Sequence, residues 1–168
     1  MDERSIKANA RTTGLTVEQT ALELALAKAN AISANFPECL VLGADQILEC
    51  QSEWFDKPTD RNSAEIQLKK LRGKSHTLVN ALTIILNGQR LWSYQQPATL
   101  EMRYFSDTFL NRYLDQSGEN IYHSVGGYLL ERQGAQLFDR IDGDYFTILG
   151  LPLLPLMAYL RDCSILDS

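Results

Sequence analysis

The residues best suited to chemistry stand in Val41-Leu42-Gly43-Ala44-Asp45-Gln46, where an apolar run delivers a carboxylate and a carboxamide in succession. Leu40, Val41 and Leu42 read as a buried strand, too short and too β-branched for a helix of their own. Gly43 and Ala44 have almost no side chain, so a ligand or another backbone can approach closely there. Asp45 is expected at the carboxyl end of a core strand, where open α/β sheets keep their chemistry. It could instead begin a turn or cap a helix. Against that, Gln46-Ile47-Leu48 continues the apolar pattern and no turn cluster follows at once. A carboxylate in such a run is costly without a partner or a metal, which makes Asp45 the leading functional candidate.

Two lysines are placed to meet an anion. Lys28 falls within the inward stripe Ala21, Leu24, Ala25 and Ile32 of an Ala/Leu-rich helix. There it either snorkels to the edge or faces a pocket that holds anions. Lys57 precedes Pro58, which keeps it extended and stiffens the segment; an ordinary surface lysine beside a turn proline fits equally well. Glu131 and Asp142-Gly143-Asp144 add carboxylates. Ser124-Val125-Gly126-Gly127-Tyr128 is Gly-rich but matches neither GxGxxG nor GxxxxGK[ST]. Met1 to Gly14 is polar and would read as a tail but for Asp2-Glu3-Arg4, a charge cluster that taken alone is better explained as solvated than as functional.

The elements that must position these groups are legible in outline. Thr16-Val17-Glu18-Gln19 is a capping box, and the helix it opens runs to about Ala34, with Pro37 ending it. After the central strand comes an acidic, loop-like segment from Glu49 to Asp60. A second helix covers Arg61 to Arg72, with Asp60 or Asn62 at its start and Gly73 at its end. Thr77 to Leu86 reads as a long strand, and Asn87-Gly88 is a strong type I′ hairpin signal returning through Arg90 to Tyr94. A further strand is expected over Ala98 to Tyr104, then a helix from Asp107 to Gln116 capped by Ser106. A last helix runs from Pro152 to about Arg161. The sum is an α/β domain with a mixed, partly antiparallel sheet flanked by helices.

At 168 residues, 45% of them apolar and 22% charged, the chain suits a single domain with a real core. A net charge of −5 argues against a nucleic acid polymer as partner, since no Lys/Arg stripe can displace counterions from phosphates. A small phosphorylated ligand needs only a few cations or a metal. Cys39, Cys50 and Cys163 lack CxxC spacing and read as reduced cytoplasmic thiols. The longest apolar stretch, Ile148 to Leu160, carries Pro152 and Pro155 and is too short to span a bilayer, so no membrane partner is expected. No charged-then-apolar leader opens the chain.

In chain order, the sequence contains Asp2-Glu3; Leu24-Ala25 with Lys28-Ala29; Gly43-Ala44-Asp45-Gln46; Asp56-Lys57-Pro58; and Leu71-Arg72-Gly73-Lys74-Ser75-His76-Thr77. Ser117-Gly118-Glu119, Gly126-Gly127-Tyr128 with Glu131, Gly143-Asp144-Tyr145 and Gly150-Leu151-Pro152-Leu153 follow. Each is weak singly, but in this order and spacing the chain resembles the Maf-like nucleotide pyrophosphatases, first labelled septum formation inhibitors. The resemblance implies a two-lobed fold with a central cleft, like the inosine triphosphate pyrophosphatases. It also implies hydrolysis of a nucleoside triphosphate to monophosphate and pyrophosphate, with Mg²⁺ or Mn²⁺, by a homodimer in the cytoplasm. By that carry-over Asp45 is the catalytic carboxylate, as base or metal ligand, and Glu3 helps hold the metal. Lys28 and Lys57 neutralise phosphate oxygens, while Gln46 and Glu131 lie near the base or the attacking water.

In this family the Asp-Gln pair at the central motif resembles the branch acting on 7-methyl-GTP rather than that acting on dTTP and UTP. A modified or non-standard nucleotide is therefore the expected substrate. Members normally open with a strand and a Ser-x-Ser-x-Arg-Arg loop before the Asp-Glu pair, whereas this sequence starts at Met1-Asp2-Glu3. The expectation is an N-terminally short domain with fewer charge-assisted phosphate contacts. His123-Ser124 stands where the family has Asp-Lys, and Asn80 where it has Thr. These departures leave open a catalytically weak nucleotide-binding or regulatory protein, related to cell division or septum formation. A protein-interaction module with an incidental acidic cleft is the plainest alternative.

Overall fold

The computed structural model describes residues 2–167. Its α-helices are α1 (Glu3–Thr13), α2 (Val17–Ser33), α3 (Arg61–Leu71), α4 (Asp107–Ser117), α5 (Tyr145–Ile148) and α6 (Leu153–Asp162). Its strands are β1 (Val41–Cys50), β2 (Glu53–Phe55), β3 (Ser75–Leu86), β4 (Gln89–Met102) and β5 (Phe138–Asp142). The strands form one sheet in the order β2-β1-β3-β4-β5. β2 runs antiparallel to β1 and β5 antiparallel to β4. The fold is α/β, as expected.

The chain divides into two compact units. The first takes the chain up to Gln46, then Val79–Pro97 and the stretch from Asp144 onward; the second takes Ile47–Leu78 and Ala98–Gly143. In the first unit the strands present alternate residues to opposite layers. Val41 and Ile85 pack with Ala29 of α2, while Leu82 and Ile84 pack with Leu156 of α6. In the second unit α3 lies against the 125–127 turn, and Tyr128 is buried beside His76 and Phe138.

Several helix ends follow from their capping chemistry. Thr16 accepts from the Gln19 N–H while Gln19 Oε1 accepts from the Thr16 N–H, the expected reciprocal cap on α2. Asp60 and Ser63 cap α3 reciprocally, and Ser106 caps α4 by accepting from the Phe109 N–H. Asn87 and Gly88 both take positive φ, 49° and 72°, as a type I′ hairpin between β3 and β4 requires.

The structure corrects other expectations. The polar opening is a helix, because the Asp2 carboxylate accepts from the N–H groups of Arg4 and Ser5 and Gly14 closes the far end in the left-handed conformation. On α2 the buried stripe runs through Ala29 and Ser33, whereas Ile32 is 52% exposed. Leu40 and Leu42 are also exposed, since β1 alternates in burial instead of being covered on both faces. Asp45 therefore lies in the middle of a ten-residue strand, not at its carboxyl end. The segment from Glu49 is no plain loop: β1 turns at Gln51-Ser52 into β2. Arg90–Tyr94 and Ala98–Met102 belong to one strand that passes straight through Pro97. Proline reads as a break because it cannot donate to the ladder, but pairing with β5 begins only at Thr99.

Candidate active site

Asp45 is held over α2 by the smallness of Gly43. A Cβ at Gly43 would come within 2.1 Å of the Ala25 carbonyl oxygen and 2.8 Å of the Ala29 Cβ. The close approach expected of Gly43 is thus made by the backbone of α2. Two residues further along the same face, Asp45 meets Lys28, one turn beyond Leu24-Ala25 on the helix. Lys28 Nζ donates to Asp45 Oδ1 at 2.5 Å and lies 3.2 Å from Glu3 Oε1.

The position of Glu3 follows from its neighbour. Asp2 is consumed as the cap of α1, so the first helical residue is Glu3, and α1 packs on α2. The acidic pair therefore splits its labour between capping and electrostatics. Sequence reasoning missed Lys7, whose charge also stabilises ionised Asp45. Its spacing of four residues from Glu3 is the signal that would have placed it on the same helical face.

The electrostatics are those of a half-dry ion cluster. Burial pushes the Asp45 carboxyl up and Glu3 adds to this, while the Lys28 hydrogen bond and the charges of Lys28 and Lys7 oppose it; the carboxyl remains above its ordinary range. Burial pushes the Lys28 ammonium down, but the bonds and charges of Asp45 and Glu3 outweigh it, so Lys28 holds its proton more firmly than usual. Asp45 Oδ2 is buried and has no hydrogen-bond partner among the described residues. A buried carboxylate oxygen left bare is costly. A proton, a water or a cation would satisfy it.

Gln46 faces the other way, as successive residues of a strand must. Its Nε2 donates to Asn80 Oδ1 at 3.1 Å and to the carbonyls of Thr147 and Ile148 at 3.2 and 3.3 Å. Asp144 completes this turn by accepting from both the N–H and the hydroxyl of Thr147 at 2.8 Å. Glu3, Lys28 and Asp45 are thus brought together, and Gln46 is joined to Asn80 and α5 instead. Lys57 and Glu131 belong to the second unit. Asn80 and Asp144 were not expected to support this turn.

The chain matches the family described as Maf-like protein over residues 1–163. It belongs to the Maf-like family. Among curated relatives, a protein of Granulibacter bethesdensis named nucleoside triphosphate pyrophosphatase is 48% identical over 96% of this chain and 82% of its own length. One of Maricaulis maris with the same name is 45% identical over 100% of this chain and 85% of its own. A 7-methyl-GTP pyrophosphatase of Rhizobium etli is 42% identical over 100% of this Maf-like chain and 84% of its own length. The expected family is borne out over nearly the whole sequence.

Proposed function

We propose that this Maf-like chain hydrolyses a nucleoside triphosphate to the monophosphate and pyrophosphate. The observation that carries the reading is the Glu3–Lys28–Asp45 cluster, in which one Asp45 oxygen has no partner among the described residues, in a chain whose relatives are named for this reaction. Water attacks the α-phosphorus, the bond from it to the bridging oxygen breaks, and pyrophosphate leaves. Asp45 Oδ2 takes the proton of the attacking water. The raised proton affinity of this carboxyl suits a base, and Lys28 is placed to offer its ammonium to phosphate oxygens.

A Mg²⁺ or Mn²⁺ ion, when bound, supplies neutralisation of phosphate and leaving-group charge. Glu3 and Asp45 are the residues that would hold it. They fit: both offer hard oxygen donors, and the two carboxylates already converge on one cation, the Lys28 ammonium. Among the described residues no cluster of three or more His, Cys, Asp or Glu could form a cage, but Mg²⁺ commonly takes one or two carboxylates and completes its shell with water and phosphate. The roles of Gln46, Lys57 and Glu131 in this proposal rest on the family resemblance.

The preferred substrate is a modified nucleotide of the 7-methyl-GTP type, supported by the Asp45-Gln46 pair and by the name of the Rhizobium etli relative. A homodimer and a cytoplasmic setting complete the proposal, both from the resemblance; sedimentation of the purified chain tests the first. Pyrophosphate release from a panel including 7-methyl-GTP, dTTP and UTP tests the activity. Asp45→Asn is expected to lower kcat/KM by about 10²–10⁴-fold, the usual contribution of a general base. Release untouched by that change sinks the reading. Tight nucleotide binding with no turnover in the unaltered chain would favour the regulatory alternative.

A further inference from the structure

Lys28 is shared between the two carboxylates that the proposed function assigns to a cation. Its Nζ lies 2.5 Å from Asp45 Oδ1 and 3.2 Å from Glu3 Oε1, with 33% of its side chain exposed. That is a cation already seated among hard oxygen donors. The helix brings it from one side, and Asp45 Oδ2, the oxygen it does not reach, has no partner among the described residues.

We propose that Lys28 is a displaceable internal counter-ion: a divalent cation taking Glu3 and Asp45 releases the Lys28 ammonium, which then becomes available to the triphosphate. This rests on the proposed function only for what the freed ammonium meets; the displacement itself needs no nucleotide. Two positive groups cannot both take the same carboxylate oxygens, so ammonium and metal compete. An ammonium withdrawn from two carboxylates has lost the anions that compete with phosphate for it. Metal and nucleotide then bind with positive coupling although each meets different side chains, and linkage makes that coupling reciprocal.

The test uses Mn²⁺ alone on the nucleotide-free chain, with the free ion counted by electron paramagnetic resonance. Lys28→Met is expected to tighten Mn²⁺ binding by about tenfold or more, within the usual span of coupling between sites. Lys7→Met removes a charge that also acts on Asp45 and is expected to tighten it by less than about threefold, because screened charges of partly exposed groups are worth little. Lys28→Arg, which keeps the charge, should leave binding near that of the parent chain. A second readout needs no variant: acylation of Lys28, followed by peptide mass spectrometry, should rise when Mn²⁺ is added. Equal tightening in Lys28→Met and Lys7→Met, no Mn²⁺ binding in any form, or Lys28 labelling unmoved by Mn²⁺ overturns the inference. Triphosphate hydrolysis with any of those results leaves the proposed function intact, whereas displacement without hydrolysis removes the function and keeps the displacement.

Discussion

Asp45 and His76 are both buried ionisable groups, and they push stability in opposite directions with pH. Burial lowers His76 from 6.5 to about 4, its Nε2 pairing with the Tyr128 hydroxyl at 2.8 Å. The folded chain therefore refuses a proton that the unfolded chain accepts. The His76 contribution is full above pH 6.5 and is lost as pH falls toward 4, a difference on the order of 3 kcal/mol. Asp45 is raised, so the folded chain binds its proton more readily, and stability falls as pH rises above 3.8 through the raised value. Denaturant midpoints measured from pH 4 to 7 are expected to rise with pH in the parent chain. His76→Gln should flatten that rise and Asp45→Asn should steepen it. At this scale Asp45 and Lys28 could be singled out from the sequence, because charge inside an apolar pattern is conspicuous. Their pairing could not, since nothing local relates a helix position to a strand position 17 residues on.

At the scale of elements, Gly43 decides how near β1 and α2 can come. Gly43→Ala would drive a Cβ to 2.1 Å from the Ala25 carbonyl oxygen, and neither backbone can yield cheaply. Overpacking of this kind is expected to cost about 3 kcal/mol, read as a fall in Tm, and to weaken the Lys28–Asp45 contact that the spacing sets. The turn between β1 and β2 offers the opposite change. Gln51 and Ser52 both take positive φ, 53° and 65°, where a side chain costs about 1–2 kcal/mol each. Replacing them with Asn-Gly should raise stability by about 1–2 kcal/mol, visible as a higher Tm with secondary structure unchanged. The Asn87-Gly88 hairpin was legible because its residues advertise that geometry. Gln51-Ser52 adopts the same backbone without the signal, so β2 was missed. α1 was missed for a related reason: it is polar overall, with Ala10 its buried residue, and its cap does the specifying.

For the whole molecule, the threading of the chain matters more than any one element. The first unit is assembled from three separate stretches and the second from two, so β1, β3 and β4 each contribute residues to both. A chain ended after Leu78 keeps α1, α2, β1, β2 and α3 but lacks Val79–Pro97 and everything from Asp144 of the first unit, and Ala98–Gly143 of the second. It is expected to show no cooperative thermal transition by circular dichroism, since its strand and helix faces would have no core to join.

Local chemistry alone determined the capped helices α2, α3 and α4, the Asn87-Gly88 hairpin and the choice of Asp45 as the residue to watch, while the family signature lay in the order and spacing of motifs along the whole sequence. The caps, the hairpin and Asp45 depend on neighbours within a few positions, where residue type and backbone preference act directly. Only the tertiary structure decided that Glu3 faces Lys28, that Gln46 turns away to hold the Thr147 and Ile148 carbonyls, and that Asp45 Oδ2 has no hydrogen-bond partner among the described residues. Those outcomes depend on which faces of distant segments come together, and a carboxylate's partner is set by distance in space.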